Sequence, residues 1–374
     1  MKKQFVIVGG GHAHLTLLAH LDRCVSRGHH VTVVNRSAYH YYSGMGPGLL
    51  AGTYGPRDMR FNVRRMAEDR GAQFVEDAVV RIDAHDRSLK LSSGAVIPYD
   101  VVSFNTGSDV PALIPVASGP AIFPVKPIAN LIRAQHFLIE LLAGRTAEIV
   151  VIGGGPAGLE MAGNARRLAT VRGRGARITL LAGRRLMARF PDRVRTLALR
   201  SLQRRGIEVV EGAHAVALDQ DRVIMDDGPA RSFDAVFLAL GVAPSTLFRD
   251  SGLSTGPDGG LLVNRFLQCP AHPEIFGGGD CISLEGNALA KVGVYAVRQN
   301  PVLMRNTCAA LDGGPMVPFV PQKHYLLIFN LGDGTAILHR NGITADGRFA
   351  WWLKDRIDRG FMRKFQISGE LDET

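Results

Sequence analysis

Lys3-Gln4-Phe5-Val6-Ile7-Val8-Gly9-Gly10-Gly11-His12-Ala13-His14 decides how the rest of the chain is read. Apolar residues, β-branched at Val6, Ile7 and Val8, run into three glycines, the pattern of a buried parallel strand breaking sharply into a helix. A turn this compact brings backbone N–H groups to a helix N-terminus, where phosphate is stabilised; a side chain at Gly9 or Gly11 is expected to obstruct that approach. A dinucleotide is therefore expected at Gly9, Gly11, His12, Ala13 and His14. The fingerprint G-x-G-x-x-G has His14 in place of its third glycine, which predicts altered packing of helix on strand.

The pattern returns at Ala147-Glu148-Ile149-Val150-Val151-Ile152-Gly153-Gly154-Gly155-Pro156-Ala157-Gly158-Leu159-Glu160 with every glycine present, followed by a helix over 157–170. Two independent dinucleotide folds are expected, the second held by Gly153, Gly155, Pro156, Ala157 and Gly158. An acidic residue often ends the second strand of such a fold to bind ribose, yet the strand over 30–34 runs into Asn35, which can still hydrogen-bond a ribose without the charge. Arg36 either meets pyrophosphate or adenine or is a solvated loop arginine. The strand over 177–181 likewise ends without an acid, at Ala182-Gly183-Arg184-Arg185. Arg184 or Arg185 can pair with a 2′-phosphate, favouring NADPH or permitting both nucleotides; a solvated basic turn is the alternative.

Tyr99 to Ser108 reads as a strand leaving through Thr106-Gly107, and Asp234 to Pro244 repeats it with Gly241. Ile275-Phe276-Gly277-Gly278-Gly279-Asp280-Cys281 is a third such exit, where Gly279 offers backbone N–H groups and Asp280 suits ribityl hydroxyls better than phosphate. These exits predict an α/β fold of two Rossmann-like dinucleotide-binding domains with a C-terminal α+β interface or membrane-associated region. The expected division is 1–110 and 246–315 for the first domain, an inserted second domain at 111–245, and a C-terminal domain at 316–374. Further helices are expected over 13–26, 57–71, 130–142 and 197–205, with another entered within 290–300. A strand is expected over 73–80 and a hairpin over 88–91 and 96–97. The proline-rich stretch 111–127 reads as an interdomain crossing. Tyr39 to Gly48 joins aromatics to turn formers, which suits either a loop beside a planar cofactor or an aromatic core corner.

With 374 residues, 46% of them hydrophobic, the chain can bury a large core without staples. Cys24, Cys269, Cys281 and Cys308 form no CxxC or metal spacing, so neither a disulfide framework nor a metal site is expected and a reducing cytoplasm is. Met1-Lys2-Lys3 leads straight into the first strand, with no room expected for a signal peptide and no apolar stretch adequate for a membrane span. The net charge of +10 favours acidic partners, anionic cofactors or anionic lipid, or reflects a basic proteome; no zinc finger or RNP signature points to nucleic acid. After strands near 324–329 and 336–339, residues 351–365 mix Trp351, Trp352, Leu353, Ile357, Phe361, Met362 and Phe365 with arginines and lysines. This reads either as an interfacial helix on an anionic membrane or as a packed helix with a basic outer face.

Together, the paired glycine turns, Thr106-Gly107, Gly241 with Pro244, and Gly279-Asp280 resemble the two-dinucleotide-domain flavoproteins. Three stretches, Tyr42-Ser43-Gly44-Met45-Gly46-Pro47-Gly48, Gly293 to Gln299, and Lys354-Asp355-Arg356-Ile357-Asp358-Arg359-Gly360-Phe361-Met362, resemble one branch of them. It holds type II NADH:quinone dehydrogenases, ferroptosis-suppressor-like quinone reductases and selenophosphate-synthetase-fused flavoproteins. The resemblance implies FAD in the first site, with Ser43 and Gly44 beside it, and NADH or NADPH in the second. It implies hydride transfer to flavin and electron transfer to a quinone, on the inner face of the cytoplasmic membrane, with a homodimer possible. Glu160 would position nicotinamide, Lys291 and Gln299 would neighbour the flavin ring or acceptor, and Tyr42 and Met45 would border the acceptor passage. Arg298 would serve helix attachment. Competing readings are a sulfur, selenium or protein acceptor, and a nicotinamide-responsive interaction protein that keeps FAD as a structural element. The closely spaced cysteines of disulfide reductases are missing after the first glycine turn, and no cysteine lies between Cys24 and Cys269.

Overall fold

The strand Gln4–Val8 lies between His30–Asn35 and Val101–Phe104 and runs parallel to both, with Phe5 opposite Val31 on one side and Val101 on the other. Its apolar residues are buried, as a strand covered on two faces requires, which is why its sequence runs apolar instead of alternating. This computed structural model describes residues 2–117, 119–173 and 175–371; Ser118 of the proline-rich crossing and the last three residues of the C-terminal region lie outside the described residues. Gln73–Glu76 and Ile275–Gly277 complete a five-stranded parallel sheet in the order 275–277, 101–104, 4–8, 30–35, 73–76.

A second five-stranded parallel sheet repeats the plan in the order Ile122–Pro124, Ala235–Leu238, Ala147–Ile152, Ala176–Leu181, Ile207–Val210. In each sheet the central strand feeds a glycine turn, and the chain winds first to one side of it, to 30–35 or 176–181, and later crosses to the other, to 101–104 or 235–238. Each turn therefore opens at a topological switch point, where α/β sheets bind ligands. The first sheet takes its last strand only after the second sheet is complete.

Several local expectations change. The helix expected over 13–26 is two short ones, Leu15–Leu18 and Asp22–Val25. Arg70 Nε donates to Ala19 O (3.0 Å), and Arg23 N–H turns to His20 O instead, tightening the chain between the two helices. The helix expected over 57–71 is replaced by a 3₁₀ turn Pro56–Met59, a strand Arg60–Asn62 and a helix Val63–Glu68. Arg60–Asn62 is claimed by antiparallel pairing with Tyr39–Tyr41, and Asn62 Oδ1 caps the helix by accepting from Arg65 N–H (3.0 Å). The strand expected over 73–80 stops at Glu76, and the crossing over 111–127 contains the strand Ile122–Pro124.

The C-terminal region is an antiparallel sheet of Leu327–Asn330, Ala336–Arg340 and Ile343–Gly347, followed by the helix Arg348–Phe365. The last strand was not expected. The helix buries Ala350, Asp358, Met362 and Phe365, and Phe361 reaches the first glycine turn, stacking 5.8 Å from the His12 ring and 4.9 Å from Tyr42. One face of the helix is thus a packed seam, while Phe349 (69%) and Trp352 (51%) stay exposed on it. Among the described residues, no helix is long and apolar enough to cross a membrane.

Candidate functional site

The second glycine turn divides its labour by position. A Cβ on Gly153 (φ +130°) would lie 2.2 Å from Ala239 O, and one on Gly158 would lie 1.8 Å from Gly153 O, so both glycines are required by the protein's own packing. Gly155 faces open space at the N-cap of the helix Pro156–Val171, with Pro156 at its first turn and Ala157 following. That is where a pyrophosphate can meet backbone N–H groups.

In the first turn, a Cβ on Gly9 would lie 2.3 Å from Asn105 O and one on Gly11 2.2 Å from Asn105 Oδ1. The glycine requirement there comes from Asn105 before it comes from any phosphate. Asn105 Oδ1 accepts from Ala13 N–H (2.9 Å) and its Nδ2 donates to Gly278 O (2.6 Å), so one buried side chain ties together three strand exits. His14, at the third glycine position, is fully buried: Nδ1–H donates to Gly9 O (2.6 Å) and Nε2 accepts from Ser103 Oγ–H (2.8 Å). Burial lowers its pKa to about 4, keeping the ring neutral, and its side chain supports the turn from behind. Asn35 is also engaged in the turn, accepting from Gly10 N–H (2.9 Å) and donating to Ser37 O (2.6 Å), while Arg36 is exposed.

Asp280 sits where the third exit meets the crossing between sheets. Its Oδ2 accepts from Ser108 Oγ (2.8 Å) and from Lys126 Nζ (2.9 Å). Burial opposes its charge, but Lys126 and Ser108 hold the carboxyl below its ordinary range. Gln299 Oε1, buried on the helix Gly293–Asp312, accepts from Gly279 N–H (2.6 Å) and so positions that turn. Lys291 is committed to Asp258 (2.6 Å) and Ile282 O (2.5 Å). Thr106 is exposed at its exit, and Gly107, Gly241 and Gly293 face open space.

His12 and His40 meet edge to face at 5.1 Å, and each leaves a buried Nε2 without a protein partner. Burial holds the His12 pKa down to about 4 and His40 well below its ordinary value. Orphaned ring nitrogens beside a glycine turn, with open glycines around the exits, fit a bound dinucleotide that supplies the missing polar partners. FAD fits the residues present: the first turn for its pyrophosphate, Asp280 for ribityl hydroxyls, and the helix start at Gly293, which has no side-chain cap, for negative charge.

A second cluster forms where the turn Ser43–Met45, the helix Pro156–Val171 and the C-terminal helix meet. Lys354 Nζ donates to Gly44 O (2.7 Å) and pairs with Asp358 Oδ2 (2.6 Å). Tyr42 OH donates to Asp358 Oδ1 (3.0 Å). Glu160 Oε1 accepts from Asn330 N–H (2.7 Å). Burial raises the Glu160 pKa to about 7, Asp358 pushes it the same way, and the Lys354 ammonium and Asn330 N–H oppose. Burial and the Asp358 carboxylate push the Tyr42 hydroxyl well above its ordinary value. Ser43 and Gly44 lie in the 3₁₀ turn Ser43–Met45, whose Met45 is fully packed. Tyr42, Gly44 and Glu160 are thus brought together, with Met45 in the adjoining turn.

Asn105, Ser108, Lys126, Lys354 and Asp358 carry much of this geometry without having been assigned roles from sequence. Lys354 and Asp358 lie in a quoted motif, and their i, i+4 spacing was the available signal. In the second site Arg185 pairs with Asp192, and Arg184 is exposed at the strand tip with no side-chain partner among the described residues. Cys281 is buried, its thiol donating to Phe104 O (3.5 Å) and Gly278 O (3.3 Å), and burial raises its pKa. Among the described residues no cluster of His, Cys, Asp and Glu is placed to hold a metal.

A family model described as pyridine nucleotide-disulphide oxidoreductase matches residues 3–308. The chain is 30% identical over 145 residues to an internal alternative NAD(P)H-ubiquinone oxidoreductase A1, mitochondrial, of Arabidopsis thaliana, a stretch covering 37% of this chain and only 28% of that protein. It is 21% identical to a type II NADH:quinone oxidoreductase of Staphylococcus saprophyticus, over 96% of this chain and 94% of that one. The structure of NDH2 from Plasmodium falciparum in complex with NADH superposes with a TM-score of 0.79 at 13% identity, covering 99% of this chain and 98% of that one, a likeness of fold.

Proposed function

The chain belongs to the pyridine nucleotide-disulphide oxidoreductase family, FAD-binding enzymes that use NADH or NADPH, and on that footing we propose that it is an NAD(P)H:quinone oxidoreductase. The observation that carries the reading is the cluster of half-buried Tyr42, Glu160 and Lys354 around the buried Asp358, where the turn Ser43–Met45, the helix Pro156–Val171 and the C-terminal helix meet. Bound FAD supplies the chemistry of hydride acceptance and electron delivery. The protein's part is to align the two nucleotides and to manage protons and charge beside the acceptor.

Quinone reduction to quinol takes up two protons as well as two electrons, so the acceptor face needs groups that can hold a proton near neutral pH. Glu160, at about 7, is such a group. Asp358 pairs with Lys354, whose Nζ is held against Gly44 O, and it also orients the Tyr42 hydroxyl. Cys281, thiol-protonated and bonded to backbone carbonyls, is poorly suited to sulfur chemistry at this site. On the donor side, Arg184 is the arginine available to a 2′-phosphate.

The exposed Phe349 and Trp352, stacked at 5.8 Å with Arg356 over the Trp352 ring, support peripheral docking on an anionic inner membrane face. A Phe349→Ser/Trp352→Ser protein should lose binding to anionic liposomes while retaining FAD. Anaerobic stopped-flow tests the whole reading. NADH or NADPH should bleach the flavin and a quinone should restore it rapidly. Reduced flavin that ignores quinones but reoxidises with a sulfur, selenium or protein acceptor would overturn the quinone assignment.

A further inference from the structure

Cys24 and Cys308 hold their sulfurs 3.9 Å apart although 284 residues separate them in sequence. Cys24 lies on the short helix Asp22–Val25 and is 2% exposed; Cys308 lies near the end of the helix Gly293–Asp312 and is partly open to solvent. Cys269 and Cys281, by contrast, are fully buried.

The surroundings distinguish the two thiols. Arg27 pairs with Asp312 close by, and His29 Nε2 stands 3.1 Å from the same carboxylate. The hydrogen bond from Cys24 favours a thiolate at Cys308, and Arg27 and Arg23 add to it against burial and Asp312; that bond and burial together raise Cys24. The accessible sulfur is thus the better nucleophile and the buried one stands ready to resolve. The sulfurs need to close from 3.9 Å to a bond of about 2 Å.

We propose that Cys24 and Cys308 are a peroxide-responsive dithiol that closes to a reversible intramolecular disulfide. The Cys308 thiolate attacks one oxygen of hydrogen peroxide, the O–O bond breaks, and hydroxide leaves and takes up a proton as water, giving a sulfenic acid on Cys308. The Cys24 sulfur then attacks the Cys308 sulfur; the S–S bond forms, the S–O bond breaks, and a second water leaves with the Cys24 proton. Two thiols and one peroxide become one disulfide and two waters, with the two electrons passing from sulfur to peroxide.

The bond would reinforce an existing brace. Asn300 Oδ1 accepts from Thr16 N–H (2.8 Å) and Lys3 Nζ donates to Ala310 O (2.7 Å), so the helix Gly293–Asp312 already holds the N-terminal region, and it carries the Gln299 that fixes Gly279. A crosslink here closes a long loop in the unfolded chain and should raise the melting midpoint.

The test treats the FAD-loaded enzyme with hydrogen peroxide, then alkylates free thiols under denaturing conditions and maps them by mass spectrometry. Alkylatable cysteines should fall from the four in the sequence to about two, with one peptide linking Cys24 to Cys308, a raised melting midpoint, and full reversal by dithiothreitol. Cys24→Ser should accumulate a dimedone-reactive sulfenic acid on Cys308, and Cys308→Ser should leave Cys24 unmodified. The crosslink in the unmutated protein is decisive even if a variant folds poorly. Persistence of all four thiols, sulfinic acid on Cys308 without a crosslink, or a disulfide only between molecules would overturn the proposal.

Discussion

Glu160→Gln separates charge from shape at the centre of the junction. Glutamine can still accept from Asn330 N–H through its amide oxygen, so the substitution mainly removes the ionisable proton. Burial lifts this carboxyl from 4.5 to about 7, which at about 1.4 kcal/mol per pH unit amounts to about 3 kcal/mol. The sign follows from proton counting. Below pH 4.5 both folded and unfolded chains hold the proton; between 4.5 and about 7 only the folded chain does; above 7 neither does. Wild-type stability therefore falls as pH rises through that window, and the loss is complete by about pH 8.

The Glu160→Gln protein lacks this term. Its stability relative to wild type should improve by about 3 kcal/mol between pH 4.5 and 8. With an unfolding entropy of about 2 cal/mol/K per residue over 374 residues, that is a relative gain of about 4 °C in melting midpoint. His12 and His14, held near 4, add the opposite trend: their contribution is present above pH 6.5 and is lost as pH falls toward 4. Both proteins share it, so it cancels in the difference. Thermal unfolding of the two FAD-loaded proteins across this range is the assay. Midpoints that stay parallel with pH would refute the raised pKa, and with it the case for Glu160 as a proton-holding group.

Lys354→Met should strand the buried Asp358 carboxylate and cost about 3 kcal/mol in denaturant unfolding, with the Lys354→Met/Asp358→Leu double variant recovering most of it. The single variant should also slow quinone-driven reoxidation more than flavin reduction in stopped-flow; equal slowing of both steps would count against its place at the acceptor. Arg184→Ala should raise the KM for NADPH about tenfold and leave NADH nearly unchanged, as loss of one charge-assisted bond predicts. Arg185→Ala, which breaks only an exposed pair with Asp192, should do neither. His14→Gly restores the missing glycine of the fingerprint, yet it should lower the melting midpoint, because two buried hydrogen bonds of about 1 kcal/mol each disappear with the ring. An unchanged or higher midpoint would show that the histidine only fills space.

His14 also shows what was and was not legible in the residues. The second turn could be read completely because each of its glycines answers a local need: Gly153 and Gly158 must clear backbone oxygens, and Gly155 must leave room at a helix start. The first turn could be read as a nucleotide turn but not as the structure it is, since its steric walls belong to Asn105, nearly a hundred residues away. In the second turn a Cβ at the third position would strike the carbonyl of the first glycine; in the first turn His14 bonds that same carbonyl. A departure read from sequence as a missing glycine is therefore a different solution to one problem, with a neutral ring bridging a gap that the glycine turn closes. The same reasoning explains Lys126 and Lys354. Lys126 acquires its role only when folding brings it to Asp280 across the crossing between the sheets, whereas the pairing of Lys354 with Asp358 follows from i, i+4 spacing and only its placement against Gly44 O needs the fold. Backbone requirements are written in short spacings, whereas charge partners distant in sequence are set by which surfaces the sheets bring into contact. That is why both glycine turns could be read from short spacings as candidate nucleotide sites, while the groups packed against them emerged only from the fold.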